Sequence, residues 1–178
     1  DSIKFIMSGI SKLVKLKSLR LNFTDNPKIK NGVFSVFPQT VFKLNNLEIL
    51  ILGFHKTEIS DEGLFLLGEA LNGLRKLKVL SLNLKENPNI SDKGITRIME
   101  NVGFLGLITT FSISLGKNKK LTSEVFEELG MGIRNLFVLQ ELSIDLDEID
   151  NLTKHKFKYL IESIKSLTAL TKIDLDLS

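Results

Sequence analysis

The chain has 178 residues, 43% hydrophobic and 25% charged, a composition that suits one soluble globular domain with a sizeable core. Its net charge of +3 is too small to call for a nucleic acid. The absence of cysteine excludes disulfides and leans toward a cytoplasmic setting, and no apolar run approaches the ~20 residues of a membrane-spanning helix.

In chain order, Ile3, Ile6, Ile10 and Leu13 recur at helical spacing among Lys4, Lys12 and Lys15, so the start reads as a helix and not as a secretory leader. The chain opens on Asp1 and closes on the strand-like IDLDLS, so both ends read as cut from a longer protein. From Leu16 onward one pattern returns: LKSLRLNF, LEILILGF from Leu47, LKVLSLNL from Leu77, ITTFSISL from Ile108, LQELSIDL from Leu139 and LTKIDLDL from Leu170. The starts differ by 31, 30, 31, 31 and 31 residues. The last three apolar positions of each stretch alternate, which predicts strands near 19–23, 50–54, 80–84, 111–115, 142–146 and 173–177 with one buried face.

The second half of each unit changes period. Leu64, Leu67, Ala70 and Leu71 fall at helical spacing, as do Phe126, Leu129 and Ile133. Pro38 lies inside a helix expected at 33–44 and should kink or shorten it. Between strand and helix, Asn26, Asn87 and Asn118 are placed to bond backbone groups at the bend, with Thr57 and Ile149 in the equivalent positions. Ile29, Ile59, Ile90, Leu121 and Leu152 plug the turn. Ser60, Ser91, Thr122 and Thr153 are expected to cap the helices. Gly63 and Gly94, in first helical turns, suggest close packing. No unit of this size buries its own apolar face, so stacking is required.

These units resemble leucine-rich repeats of the ribonuclease-inhibitor type over nearly the whole chain. The resemblance implies an α/β right-handed solenoid, or horseshoe, of about six repeats of 31 residues. The parallel sheet would line the concave side and the helices the convex side, with residues 1–178 as a single domain. One feature departs from the family: a fourth apolar residue intervenes before the Asn, which the consensus places sooner after the second strand leucine.

Candidate chemistry is sparse. His55 and His155 are far apart in the chain and no cysteine accompanies them, so neither a metal site nor a nucleophile–base pair is expected. No cofactor is implied. The triplets at Asn22, Asn89 and Asn151 match a glycosylation pattern that the repeat itself generates at two of the three. Lys117, Lys119 and Lys120 lack the aromatic ladder of a single-strand nucleic-acid binder, and neither nucleic acid nor membrane is expected as a partner.

In a repeat array, function lives on side chains the repeat leaves free. Three outward columns result: Ser18, Ile49, Val79, Thr110, Glu141, Lys172; Arg20, Ile51, Ser81, Ser112, Ser143, Asp174; and Asn22, Gly53, Asn83, Ser114, Asp145, Asp176. The candidate contacts are Arg20, the apolar patch Ile49, Ile51 and Val79, and the acidic end Glu141, Asp145, Asp174 and Asp176. Residues 1–56 hold nine Lys/Arg against three acids, a net of +6, whereas 139–178 hold five Lys against eight acids, a net of −3. Such polarity orients a charged partner, and the acidic end is expected to receive a Lys/Arg-bearing segment. The reading is a non-catalytic protein-binding module or scaffold, also compatible with a subunit of a large assembly. Two alternatives rest on resemblance alone: a GTPase-activating domain like the Ran-activating repeat proteins, and an actin-end cap like tropomodulin-type arrays.

Overall fold

The computed structural model describes residues 2–149 and 153–178. Strands β1 (Ser18–Asn22), β2 (Ile49–Gly53), β3 (Val79–Asn83), β4 (Thr110–Ser114), β5 (Glu141–Asp145) and β6 (Lys172–Asp176) form one sheet in chain order. Every neighbouring pair is parallel. Each strand begins one residue earlier than the spacing predicts, which moves the boundary without changing which face a side chain takes. Leu50, Leu80, Phe111 and Leu142 form one inward row, and Leu52, Leu82, Ile113 and Ile144 another. None of these eight is more than 1% exposed. Fully burying one such side chain contributes roughly 1.5–3 kcal/mol.

The helices are α1 (Ser2–Ile10), α2 (Phe37–Val41), α3 (Asp61–Leu71), α4 (Asp92–Val102), α5 (Val125–Ile133) and α6 (Lys154–Lys165). From α3 to α6 each packs beside the next, and one continuous apolar core joins helices and sheet. In α1 the buried contact is Met7, 1% exposed, whereas Ile6 is 52% exposed; the apolar edge runs Ile3, Met7, Ile10 and not through Ile6, and Leu13 lies beyond the end of the helix. Pro38 acts as expected. Residues Asn31–Val36 form a 3-10 helix, and α-helix resumes only for Phe37–Val41, with the proline in its first turn, where its missing N–H does no harm.

The turns leaving the sheet follow one plan. Asp25, Lys56, Glu86, Lys117 and Glu148 adopt left-handed backbone conformations, φ 49–62°, each one residue before the position read as a bend asparagine. Asn87 is fully buried. Its Nδ2 donates to the Phe54, Leu84 and Lys85 carbonyls at 2.7–3.0 Å, and its Oδ1 accepts from the Thr57 N–H. Asn118 donates to the Leu84 and Leu115 carbonyls and accepts from the Asn87 N–H. Thr57 and Ile149 are buried in the equivalent places. Asn26 differs: it is exposed and accepts from the nearby Lys28 N–H. Ile29, Ile59, Ile90 and Leu121 plug the turns; Leu152 and Asn151 lie outside the described residues.

The expected helix caps need correction. Ser60, Ser91 and Thr153 do occupy N-cap positions, but no cap bond to their own helices forms, and α5 starts after Glu124 instead of Thr122. These residues bond the preceding unit. Asp61 accepts from the Ser91 N–H and hydroxyl at 2.8 and 2.6 Å, and Asp92 accepts likewise from Thr122. Asn31 accepts from the Ser60 N–H and donates to its hydroxyl. At Ser91 and Thr122 the acceptor across units is a carboxylate, which makes the bond charge-assisted; Thr122 Oγ1 also accepts locally from the Glu124 N–H. Gly94 permits it, since a Cβ there would lie 2.5 Å from Asp61 Oδ1.

Candidate protein-binding face

The sheet face opposite the helices carries the three expected columns in register. Ile49 pairs with Val79, and Ile51 lies two residues along β2. All three are half-buried, so they form a low apolar patch and not a protruding one. Arg20, exposed, is the β1 partner of Ile51. Gly53 interrupts its column because a Cβ there would sit 2.5 Å from Asn22 Oδ1.

The acidic end divides. Asp145 and Asp176 pair across β5 and β6, as do Glu141 and Lys172, and Asp174 is the partner of Ser143. Asp145 is not a free charge. Lys85, in the turn after β3, reaches across the β4 turn to Asp145 at 3.0 Å and Asp147 at 2.8 Å. The crossing is open because Gly116 lies between, and a Cβ at Gly116 would overlap the Asp147 carboxylate. Asp147 holds the Lys85 ammonium above its usual range, burial opposing. Lys85 in turn holds the Asp147 carboxyl low. The repulsion between the paired carboxylates Asp145 and Asp176 is therefore relieved within the chain at Asp145, while Asp174 and Asp176 stay exposed.

The third column also has local work. Asn22, Asn83, Asp145 and Asp176 each accept from the N–H two residues on, an Asx turn that settles the chain as it leaves the strand. Sequence columns ended at the last strand residue, so Lys85 and Asp147 were missed. Extending them two positions places Lys85, Gly116 and Asp147 in one line at intervals of 31.

Other charged residues are engaged too. Glu48 lies between Lys78 at 2.7 Å and Lys17 at 3.1 Å, which hold its carboxyl low. His55 Nε2 is 3.2 Å from Glu86. Lys117 pairs with Glu148 and Lys120 donates to Asn89, which ties two of the three loop lysines to neighbours. Among the described residues no group of three or more His, Asp or Glu side chains is placed to hold a metal ion. No helix among them is long and apolar enough to cross a membrane.

No protein-family model matches the chain, and no curated protein does. The fold is similar to that of the tropomodulin C-terminal domain. The domain from Caenorhabditis elegans superposes with a TM-score of 0.64 at 14% identity, covering 94% of this chain and 93% of that one. Leiomodin-1 actin-binding site 2 gives a TM-score of 0.62 at 15% identity, covering 94% and 90%. At such identities the likeness establishes a leucine-rich-repeat-like α/β fold.

Proposed function

We propose that this chain is a non-catalytic, cytoplasmic protein-interaction module, a horseshoe of six ribonuclease-inhibitor-type repeats that binds on its concave face. The observation that carries this reading is the trio Ile49, Ile51 and Val79. Elsewhere on the same columns Ser and Thr serve, so the fold does not require aliphatic residues there, and contiguous apolar surface on an open face marks contact. Asp174 and Asp176, a few strand spacings of ~4.8 Å away, suit a basic part of the same partner.

Actin is the first partner to test, because a protein of similar fold is described as an actin-binding site. Purified actin should bind the wild-type chain, and the variant Ile49→Ser/Ile51→Ser/Val79→Ser should bind it at least tenfold more weakly while keeping its circular dichroism. Equal binding by a folded variant would move the contact off this face. Absence of binding by the wild type would remove actin and send the search to crosslinking in the full-length protein. A GTP-hydrolysis assay with a Ran-type GTPase should show no acceleration; acceleration would replace this reading with an enzymatic one.

A further inference from the structure

The helical layer holds a second surface. Between α4 and α5 lies a groove of about 470 Å³. Gly103 and Gly132 leave part of its wall as bare backbone, Met99, Met131 and Phe104 supply its apolar lining, and Thr96, Asn101 and Asn135 are polar. Methionine adapts readily to irregular apolar partners. Glu128 lines the groove from α5 with Glu69, Glu100 and Arg134, and Glu100 is paired with Arg97 at 3.0 Å. Glu128 Oε2 is buried with no hydrogen-bond partner. Burial raises its carboxyl above the ordinary range, and Glu127, Asp92 and Glu100 push the same way against a bond from Thr96. A buried carboxylate oxygen without a donor is costly, and a cation brought by another chain would relieve it.

Phe104, on the groove wall, opens the loop into β4. Between the buried anchors Leu105 and Ile108 the tip of that loop is Gly106-Leu107. In the next loop, between Leu136 and Leu139, it is Phe137-Val138. Phe104 is 69% exposed, Leu107 50%, Phe137 67% and Val138 42%. The parallel, in-register strands put these loops on one edge of the sheet, about 4.8 Å apart. Equivalent tips read Asn45-Asn46, Arg75-Lys76 and Thr168-Ala169, so the fold accepts polar residues there.

We propose that the α4–α5 groove and its neighbouring apolar tips bind a protein segment carrying Lys or Arg beside large apolar side chains. The cation seats against Glu128, and the apolar residues cover Phe104, Leu107, Phe137 and Val138. The Glu128 oxygen without a donor selects this occupant. An anionic bilayer would find Arg134 and the Arg75-Lys76 tip nearby but would bring no cation to Glu128. The contact is independent of the open sheet face, so either can fail while the other stands.

Three probes test it: the peptide acetyl-Phe-Lys-Leu-Phe-Arg-Leu-amide, the same peptide with Glu for Lys and Arg, and phosphatidylserine–phosphatidylcholine vesicles. The basic peptide should shift amide resonances in 96–107 and 128–138, and bind about tenfold or more tightly than the acidic one, as a charge-assisted bond to a desolvated carboxylate requires. Glu128→Gln should weaken it about tenfold with thermal stability kept, and Phe137→Ser several-fold. The proposal is overturned if neither peptide binds, if both bind equally, if Glu128→Gln has no effect, or if vesicles bind instead. Sedimentation showing a dimer that Phe137→Ser converts to monomer would also overturn it, by giving the tips to a second copy.

Discussion

Asn87 has no exposed surface, yet it is among the most heavily bonded side chains in the molecule. Three carbonyls, one N–H and the Thr57 hydroxyl depend on it. Asn87→Ala should therefore cost about 3 kcal/mol or more, since each buried group left unpaired costs ~1–3 kcal/mol. Urea unfolding, with an unchanged slope and a lower midpoint, would show it. A second residue-scale effect concerns acid. Asp147 is held below its ordinary carboxyl range chiefly by Lys85. A carboxylate lowered in this way stabilises the fold at pH above its unfolded value, and that stability is lost as pH falls through the folded value. Lys85→Met should thus lower the melting temperature at pH 7 and flatten the decline below about pH 4, the unfolded aspartate value. Parallel melting-temperature profiles for wild type and variant would mean that the pair adds nothing to stability.

Between elements, the spacing of units is set by glycines and by the carboxylate clasp. A Cβ at Gly94 would meet Asp61 Oδ1 at 2.5 Å and Asp61 Cα at 3.1 Å, so the methyl group displaces both α3 and the bonds to Ser91. Gly94→Ala should cost about 1–3 kcal/mol, the usual scale of overpacking. Gly106→Ala, where nothing lies within 4 Å, should be neutral or slightly stabilising through the unfolded chain. Thermal unfolding of the two variants side by side separates crowding from backbone propensity. Sequence carried part of this. Alternation around Leu80, Leu82 and Leu84, held in step at near-constant intervals, was enough to define strand faces, the outward columns and the apolar trio. The position of Ser91 was also legible. Its partner was not, because local rules favour the N–H groups of its own helix and say nothing of a carboxylate thirty residues back. Lys85 escaped for a related reason: its contact spans two units, across a glycine whose lack of a side chain gives no periodic signal. The groove beside Glu128 depends on how two helices pack, which period alone does not encode.

Across the whole molecule, each strand pairs only with its neighbours in sequence, and helix packing from α3 to α6 follows the same order. Stability in such an arrangement is a sum of unit and nearest-neighbour terms, so the position of a lesion matters as much as its chemistry. Leu82 lies in β3, 1% exposed, between two paired strands. Ile173 occupies an inward row on β6, yet it is 47% exposed, because nothing among the described residues pairs with the outer edge of that strand. A carboxylate at position 82 must be desolvated among stacked leucines or force the neighbours apart on both sides. At position 173 it keeps much of its water. Leu82→Asp should accordingly abolish cooperative unfolding, Ile173→Asp should lower the midpoint only modestly, and Ser81→Asp, on the open face, should be tolerated. Hydrogen exchange in the wild type should follow the same gradient, slowest for the β3 and β4 amides and faster for the edge strands β1 and β6, where opening disrupts one neighbour instead of two. If β6 exchanges as slowly as β3, or if Leu82→Asp and Ile173→Asp melt alike, the array unfolds as a single block and the nearest-neighbour account of its stability is wrong.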